Sequence, residues 1–244
     1  MRTPCAPVAT DATGAASLRD PVQPWVFHLR ASYEKEAERA VKHLAGIGVK
    51  RINIVQVNDD FGNDAGKGAI KGLDEMKLRA LSHLRFDRNK PDLAPTMQAI
   101  AKAGIEAVVL IGPAYAVVEG INALRAAGST AHVATLSNNA SAGFIKDLGD
   151  AGHGVIVSQV FPYERSIAKP IIKEALELAR KANAELTPSM VEGFVAAKVL
   201  VEGLKRAGPK PTRDSLRKAL EGIGRFDLGG IEVGYGPNDH SGMD

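Results

Sequence analysis

The sequence predicts an α/β protein: one complete lobe built on a doubly wound parallel sheet, with part of a second α/β lobe. Two patterns carry that expectation. Short β-branched apolar runs recur about every 26 residues as far as Phe161, with a helical pattern between most neighbours. Beyond Phe161 three helical segments follow with hardly a strand among them. A parallel strand pair needs a crossover of a dozen or more residues, usually a helix, so regular β-α alternation implies parallel strands.

Six strands are expected, at 25–29, 51–57, 80–86, 105–112, 132–136 and 154–161. A helix is predicted over 33–46, where Ala37, Ala40, Val41, Leu44 and Ala45 form one apolar face and Glu38 stands four residues before Lys42. Gly46 stops it. A second helix over 115–127 carries Val117, Val118, Ile121 and Leu124, and Gly128 follows as a left-handed cap. The late helices fall at 167–182, 189–207 and 212–220. Thr187 and Pro188 are suited to start the middle one, and Gly208-Pro209 to end it. Its residues Val191, Phe194, Val195, Val199, Leu200, Val201 and Leu204 spread over more than one face, so it should be covered by something larger than its two neighbours. By this balance 24–160 is the complete lobe and the flanks are pieces of the other. The proline- and alanine-containing lead-in and the single strand before the final Asp244 both look cut from something longer.

Composition narrows the function. With 244 residues, 45% apolar and 24% charged, the chain has the profile of a globular protein, not a disordered or fibrous one. Lys and Arg exceed Asp and Glu by 31 to 28, with both signs interspersed, so nucleic acid is not an expected partner. The single cysteine, Cys5, allows neither an internal disulfide nor a cysteine metal cluster. No segment reads as an export signal or a membrane span, and the chain as written would be cytoplasmic.

No convincing catalytic constellation stands in the sequence. Residues 62–68 suggest a phosphate loop, but only three residues separate Gly62 from Gly66 and Gly68 replaces the magnesium-binding hydroxyl, which leaves a flexible helix start. No Gly-x-Gly-x-x-Gly follows any of the six strands, and no serine sits in a Gly-x-Ser-x-Gly elbow. The histidines, His28, His43, His83, His132, His153 and His240, lack ligand spacing and read as surface or satisfied core residues. Asp59-Asp60 fits turn chemistry and helix capping. No enzyme and no cofactor are expected.

Open α/β sheets bind ligands at the carboxyl ends of their strands. There the sequence places residues 58–63 with Phe61 in the middle, then Gly112, Pro113, Ala114 and Tyr115, then Ser137, Asn138, Asn139, Ala140 and Ser141. An aromatic wall with neutral polar groups is a small-molecule surface, although ordinary turn and capping usage accounts for the same residues equally well.

Several phrases in order resemble one family: Thr13-Gly14-Ala15 with Leu18-Arg19, Val26-Phe27 through Arg30-Ala31-Ser32-Tyr33, Asp59-Asp60-Phe61-Gly62, Leu124-Arg125-Ala126-Ala127-Gly128, and Glu192-Gly193-Phe194. The chain is similar over nearly its whole length to the type I periplasmic substrate-binding proteins of branched-chain amino acid ABC transporters, the leucine/isoleucine/valine-binding group. The resemblance implies two α/β lobes that close on a ligand by hinge motion, a periplasmic location and a transporter permease as partner. Residues 1–23 would then be a remnant of the first lobe and a crossover, 24–160 the second lobe, and 161–244 the return to the first with a final crossover. The family's opening β-α units and last strands have no counterpart here.

Carried over by position, Thr13 resembles the first-lobe threonine that binds the ligand head group. Phe61 stands where leucine binders carry a tyrosine, and the Gly112 to Tyr115 loop matches a contact stretch, with Tyr115 about two positions out of register. Near Ser137 leucine binders place an acid for the ligand ammonium, whereas here Ser137 and Asn138 stand. The resemblance implies a small-molecule ligand, an amino acid, an amide or a small organic acid, and because a buried ammonium without an acid is costly this departure counts against the α-amino acid among them. A Rossmann-like enzyme with catalytic residues in a missing segment, or a sensor lobe, is the alternative.

Overall fold

The computed structural model describes residues 9–11 and 13–243; Cys5 lies outside them. The chain divides into two compact units, Tyr33–Gln159 and Met1–Ser32 with Val160–Asp244.

The Tyr33–Gln159 unit alternates helix and strand throughout: α1 (Tyr33–Gly46), β3 (Ile52–Val57), α2 (Asp60–Glu75), β4 (His83–Phe86), α3 (Ala94–Lys102), β5 (Ala107–Ile111), α4 (Ala114–Ala126), β6 (His132–Thr135), α5 (Ala142–Leu148) and β7 (Val155–Val157). All five strands are parallel, in the order β4-β3-β5-β6-β7. Side chains alternate across a strand, so the central strands feed two cores. Val55, Val57, Val108, Leu110 and Val133 join Met97, Ile121, Leu124 and Phe144 on one face. Ile52, Ile54, Val109, Ile111 and Ala134 join Val41, Leu44, Ala69 and Leu73 of α1 and α2 on the other. The sheet is therefore doubly wound.

α1 and α2 meet along glycines. A Cβ on Gly68 would lie 1.9 Å from the Glu34 carbonyl oxygen, and one on Gly72 would lie 2.7 Å from that of Glu38. Gly62 and Gly66 face Val57 O and the Gln56 side chain as closely, at 1.8 and 1.9 Å. The 62–68 segment is thus no flexible helix start: its glycines lie within α2 and permit close packing. Along the same seam Glu38 pairs with Lys42, as the i, i+4 spacing predicts, and with Lys71 at 3.1 Å. The Lys42 ammonium, seconded by Lys71, holds the Glu38 carboxyl below its ordinary value against the burial that would raise it. At the end of α4, Gly128 adopts φ 78° and its N–H donates to Arg125 O, the expected left-handed cap.

The second unit contains β1 (Ala9–Asp11), β2 (Val26–His28), α6 (Pro170–Lys181), α7 (Pro188–Ala207), α8 (Arg213–Glu221), β8 (Gly224–Asp227) and β9 (Glu232–Tyr235). The expectation of six strands in one sheet is corrected here. β2 pairs in parallel with β1, and Phe27 and Leu29 pack with Ile172, Val191, Val195 and Val199. Thr187 caps α7 through Met190 N, with Pro188 in the first turn. The expected covering of α7 on several faces is not found among the described residues. Val191, Val195 and Val199 are buried, whereas Leu200, Val201 and Leu204 are 36%, 48% and 37% exposed. His28 and His240 are buried core histidines, with one ring nitrogen of each bonded, to Leu18 O and Val26 O respectively, at 2.9 Å. No helix among the described residues is long and apolar enough to cross a membrane.

Candidate functional site

The chain leaves β3 for β4 on one side and returns to β5 on the other, so β3 and β5 flank a topological switch point. The helices after them, α2 and α4, pack on opposite faces of the sheet, and it is at the carboxyl ends of strands so arranged that open α/β sheets bind their ligands. Of the sequence-predicted residues, Gly112, Ser137 and Asn138 stand in the loops around this edge, with Phe61 in the first turn of α2 and Tyr115 in the first turn of α4. Thr13 belongs to the other unit, where its Oγ1 accepts from Ala15 N at 3.3 Å and its carbonyl accepts from Arg19.

Asp59 explains the Asp-Asp-Phe-Gly motif. Its Oδ1 caps α2 by accepting from Gly62 N at 2.9 Å, and Gly62 lets the first turn press onto Val57. The turn so fixed holds Phe61 half-buried, edge-on to Tyr33 with ring centroids 4.6 Å apart. The other carboxylate oxygen, Oδ2, binds Arg88 at 2.6–2.7 Å, and the Tyr115 hydroxyl donates to Arg88 O. Asp59, Arg88 and Tyr115 thus tie together the loops after β3, β4 and β5.

The amides of Asn138 and Asn139 fix the next two loops. Asn138 Nδ2 donates to Gly112 O and to Asn139 Oδ1, both at 3.1 Å. Asn139, fully buried, donates to Gly112 O at 3.2 Å and Thr135 Oγ1 at 2.9 Å. The Gly112 carbonyl is therefore occupied by two protein amides and shapes the loop.

Glu36, on the first turn of α1 and only 5% exposed, was not singled out from sequence. Its Oε1 accepts from Ser137 Oγ at 2.9 Å, and its Oε2 from Ser137 N at 3.0 Å and Ser158 Oγ at 2.8 Å. An acid does stand at Ser137, supplied by a helix about a hundred residues away in the chain. Tyr33 was missed for the same reason. The one signal was a carboxylate at 36 in step with Ala40 and Leu44 on the buried stripe of α1.

Among the described residues no group of three or more His, Cys, Asp or Glu could hold a metal. An aromatic pair, hydroxyls and amides around the switch point are groups of the kind that line small-molecule sites.

The family model described as periplasmic binding protein matches residues 6–244, and the chain belongs to that family. Its architecture is that of the type I members. The chain is similar to a substrate-binding periplasmic protein from Ralstonia solanacearum, with 33% identity, TM-score 0.79, and coverage of 96% of this chain and 68% of that one. An extracellular ligand-binding receptor from Verminephrobacter eiseniae shares 28% identity at TM-score 0.83, over 95% of this chain and 67% of that one. A possible leucine/isoleucine/valine-binding protein from Rhodopirellula baltica shares 26% at TM-score 0.83, over 94% and 64%. The chain spans about two thirds of the length of these structures. No curated protein matches the sequence.

Proposed function

We propose that this chain is the ligand-binding component of a periplasmic ABC transport system, taking branched-chain amino acids or related small polar solutes and presenting them to a membrane permease. The observation that carries the reading is the carboxyl edge of the sheet at the switch point, which holds the Tyr33–Phe61 aromatic pair and the polar groups of Ser137, Asn138 and Ser158. An apolar wall beside a few fixed polar groups suits a solute with a short hydrocarbon body and one polar head. The relatives named as substrate-binding and leucine/isoleucine/valine-binding proteins support the same class.

A thermal-shift screen of the 244-residue chain against amino acids, amides, small organic acids and nucleotides tests this. A ligand at about a hundred times its Kd stabilises by about 2.7 kcal/mol, which raises Tm by roughly 5–10 °C in a protein of this size. Such a rise is expected with at least one amino acid, amide or organic acid, and Phe61→Ala should weaken that binding about tenfold. A rise with nucleotides alone contradicts the proposal.

A further inference from the structure

Positive charge gathers at one place in the second unit. Six of the chain's 31 Lys and Arg, namely Lys205, Arg206, Lys210, Arg213, Arg217 and Lys218, fall within residues 205–218 beside a single acid, Asp214. This stretch carries more positive charge than the whole chain's +3, so the remainder is net negative. The interspersed pattern of the sequence breaks here, and the fold turns the break into a surface. Residues 208–212 lead α7 back into α8, and a Cβ on Gly203 would lie 2.7 Å from Leu220 and 3.0 Å from Leu216, so the two helices pack closely as a hairpin. Thr212 and Ser215 form a reciprocal capping box that fixes the start of α8. Lys205, Arg206, Lys210 and Arg213 therefore stand at the turn of the hairpin, with Arg217 and Lys218 about one helical turn along.

Ion pairing accounts for two of the six: Arg206 binds Glu202 at 2.7 Å and Arg217 binds Glu221 at 3.0 Å. Lys205, Lys210, Arg213 and Lys218 have no acidic partner among the described residues, and the three lysines are exposed. The helix dipole favours Lys205 in the last turn of α7, but it disfavours a cation at the start of α8, where Arg213 stands. Arg213 is held by Trp25 instead, its guanidinium carbon 3.9 Å from the ring centroid and that of Arg217 5.3 Å from it. It makes no hydrogen bond among the described residues, and its Nε is buried without a partner. Two guanidiniums brought to one ring repel each other, and an oxyanion that accepts from both offsets that repulsion.

We propose that the turn end of the α7–α8 hairpin is a docking surface for an anionic phospholipid membrane, with Arg213 and Arg217 taking headgroup phosphate and Lys205, Lys210 and Lys218 adding charge. Trp25, half-buried beside them, has the amphipathic ring that settles at the level of the headgroups. The inference goes beyond solute binding and does not depend on which solute is bound: a carrier adsorbed to the membrane meets its permease by a search in two dimensions.

Co-sedimentation of the 244-residue chain with vesicles tests it, using phosphatidylcholine alone and phosphatidylcholine with about a third phosphatidylglycerol. Binding to the anionic vesicles is expected to be at least about a hundredfold tighter and to weaken as salt is raised. Each cation near such a surface contributes about fivefold, so Lys205→Ala/Lys210→Ala/Lys218→Ala should lose about a hundredfold. Lys50→Ala/Lys102→Ala/Lys146→Ala removes the same charge from exposed positions of the other unit and should bind as the wild type does. Arg213→Lys keeps the charge but not the fork of donors, and should bind the anionic vesicles several-fold more weakly. All of these changes lie outside the buried core, and far-UV circular dichroism checks that the variants fold. Equal affinity for the two kinds of vesicle, or equal losses in the two triple variants, overturns the inference. So does release by millimolar inorganic phosphate at constant ionic strength, which assigns the site to free phosphate, or tighter binding to a single-stranded RNA. Each of these results leaves the solute-binding reading, tested by thermal shift, untouched.

Discussion

Gly68→Ala should lower the unfolding temperature by roughly 5–10 °C, although the same change in a helix interior usually stabilises. Alanine gains about 1 kcal/mol over glycine in helix propensity. At Gly68 the added Cβ would sit 1.9 Å from Glu34 O, 2.6 Å from its carbonyl carbon and 2.7 Å from its Cα, all main-chain atoms. Main chain cannot rotate away, so α1 and α2 must separate along a seam that buries Ala37, Val41, Ala69 and Leu73. Overpacking of this kind costs about 3 kcal/mol and outweighs the propensity gain, which sets the sign. Gly193→Ala is the control: Gly193 lies within α7 with nothing within 4 Å of the added Cβ, so the identical substitution should raise stability by up to about 1 kcal/mol. Thermal melts of the two variants, read by circular dichroism, should move in opposite directions. A Gly68→Ala protein as stable as the wild type would mean that the two helices do not meet on this seam.

Asn139→Ala should cost about 2 kcal/mol and weaken ligand binding at the same time. The lost side chain leaves Asn138 without one acceptor, Gly112 O without one donor, and Thr135 Oγ1 with an unmet partner in a fully buried position. Each unsatisfied buried group costs about 1–3 kcal/mol, reduced where a hydroxyl can turn or water can enter. The same amide joins the loop after β5 to the loop after β6. Without it both loops must be ordered at the moment of binding, and affinity should fall about tenfold. Urea denaturation and titration with the best solute of the screen give the two quantities. Unchanged stability, or lower stability with full affinity, contradicts the role assigned to this amide.

Local regularities made most of the parallel-sheet unit legible. Val55 and Val57 face one core and Ile52 and Ile54 the other, and this two-sided burial leaves an unbroken apolar run that marks a central parallel strand. Gly46 and Gly128 mark helix ends because helix termination is decided by neighbouring residues. Phe61 was legible since the groups that aim it, Asp59 and Gly62, lie within two residues. The burial of α7 was misjudged from composition: Leu200 and Val201 read as covered, but covering depends on which elements exist to pack there. Glu36 shows the harder limit. Its partners lie at 137 and 158, and the parallel topology alone brings the first turn of α1 to the same edge as the ends of β6 and β7. In sequence it looked like one more charge on a helix with two glutamates nearby.

Hydrogen–deuterium exchange of the 244-residue chain, with and without a saturating solute from the thermal-shift screen, tests most directly whether the carboxyl edge of the sheet is the binding site. Slowed exchange is predicted at 33–36, 58–63, 112–115 and 137–141, with the opposite-edge turns at 47–51, 103–106 and 128–131 unchanged. Protection confined to those opposite-edge turns, with none at the four carboxyl-edge segments, would contradict it.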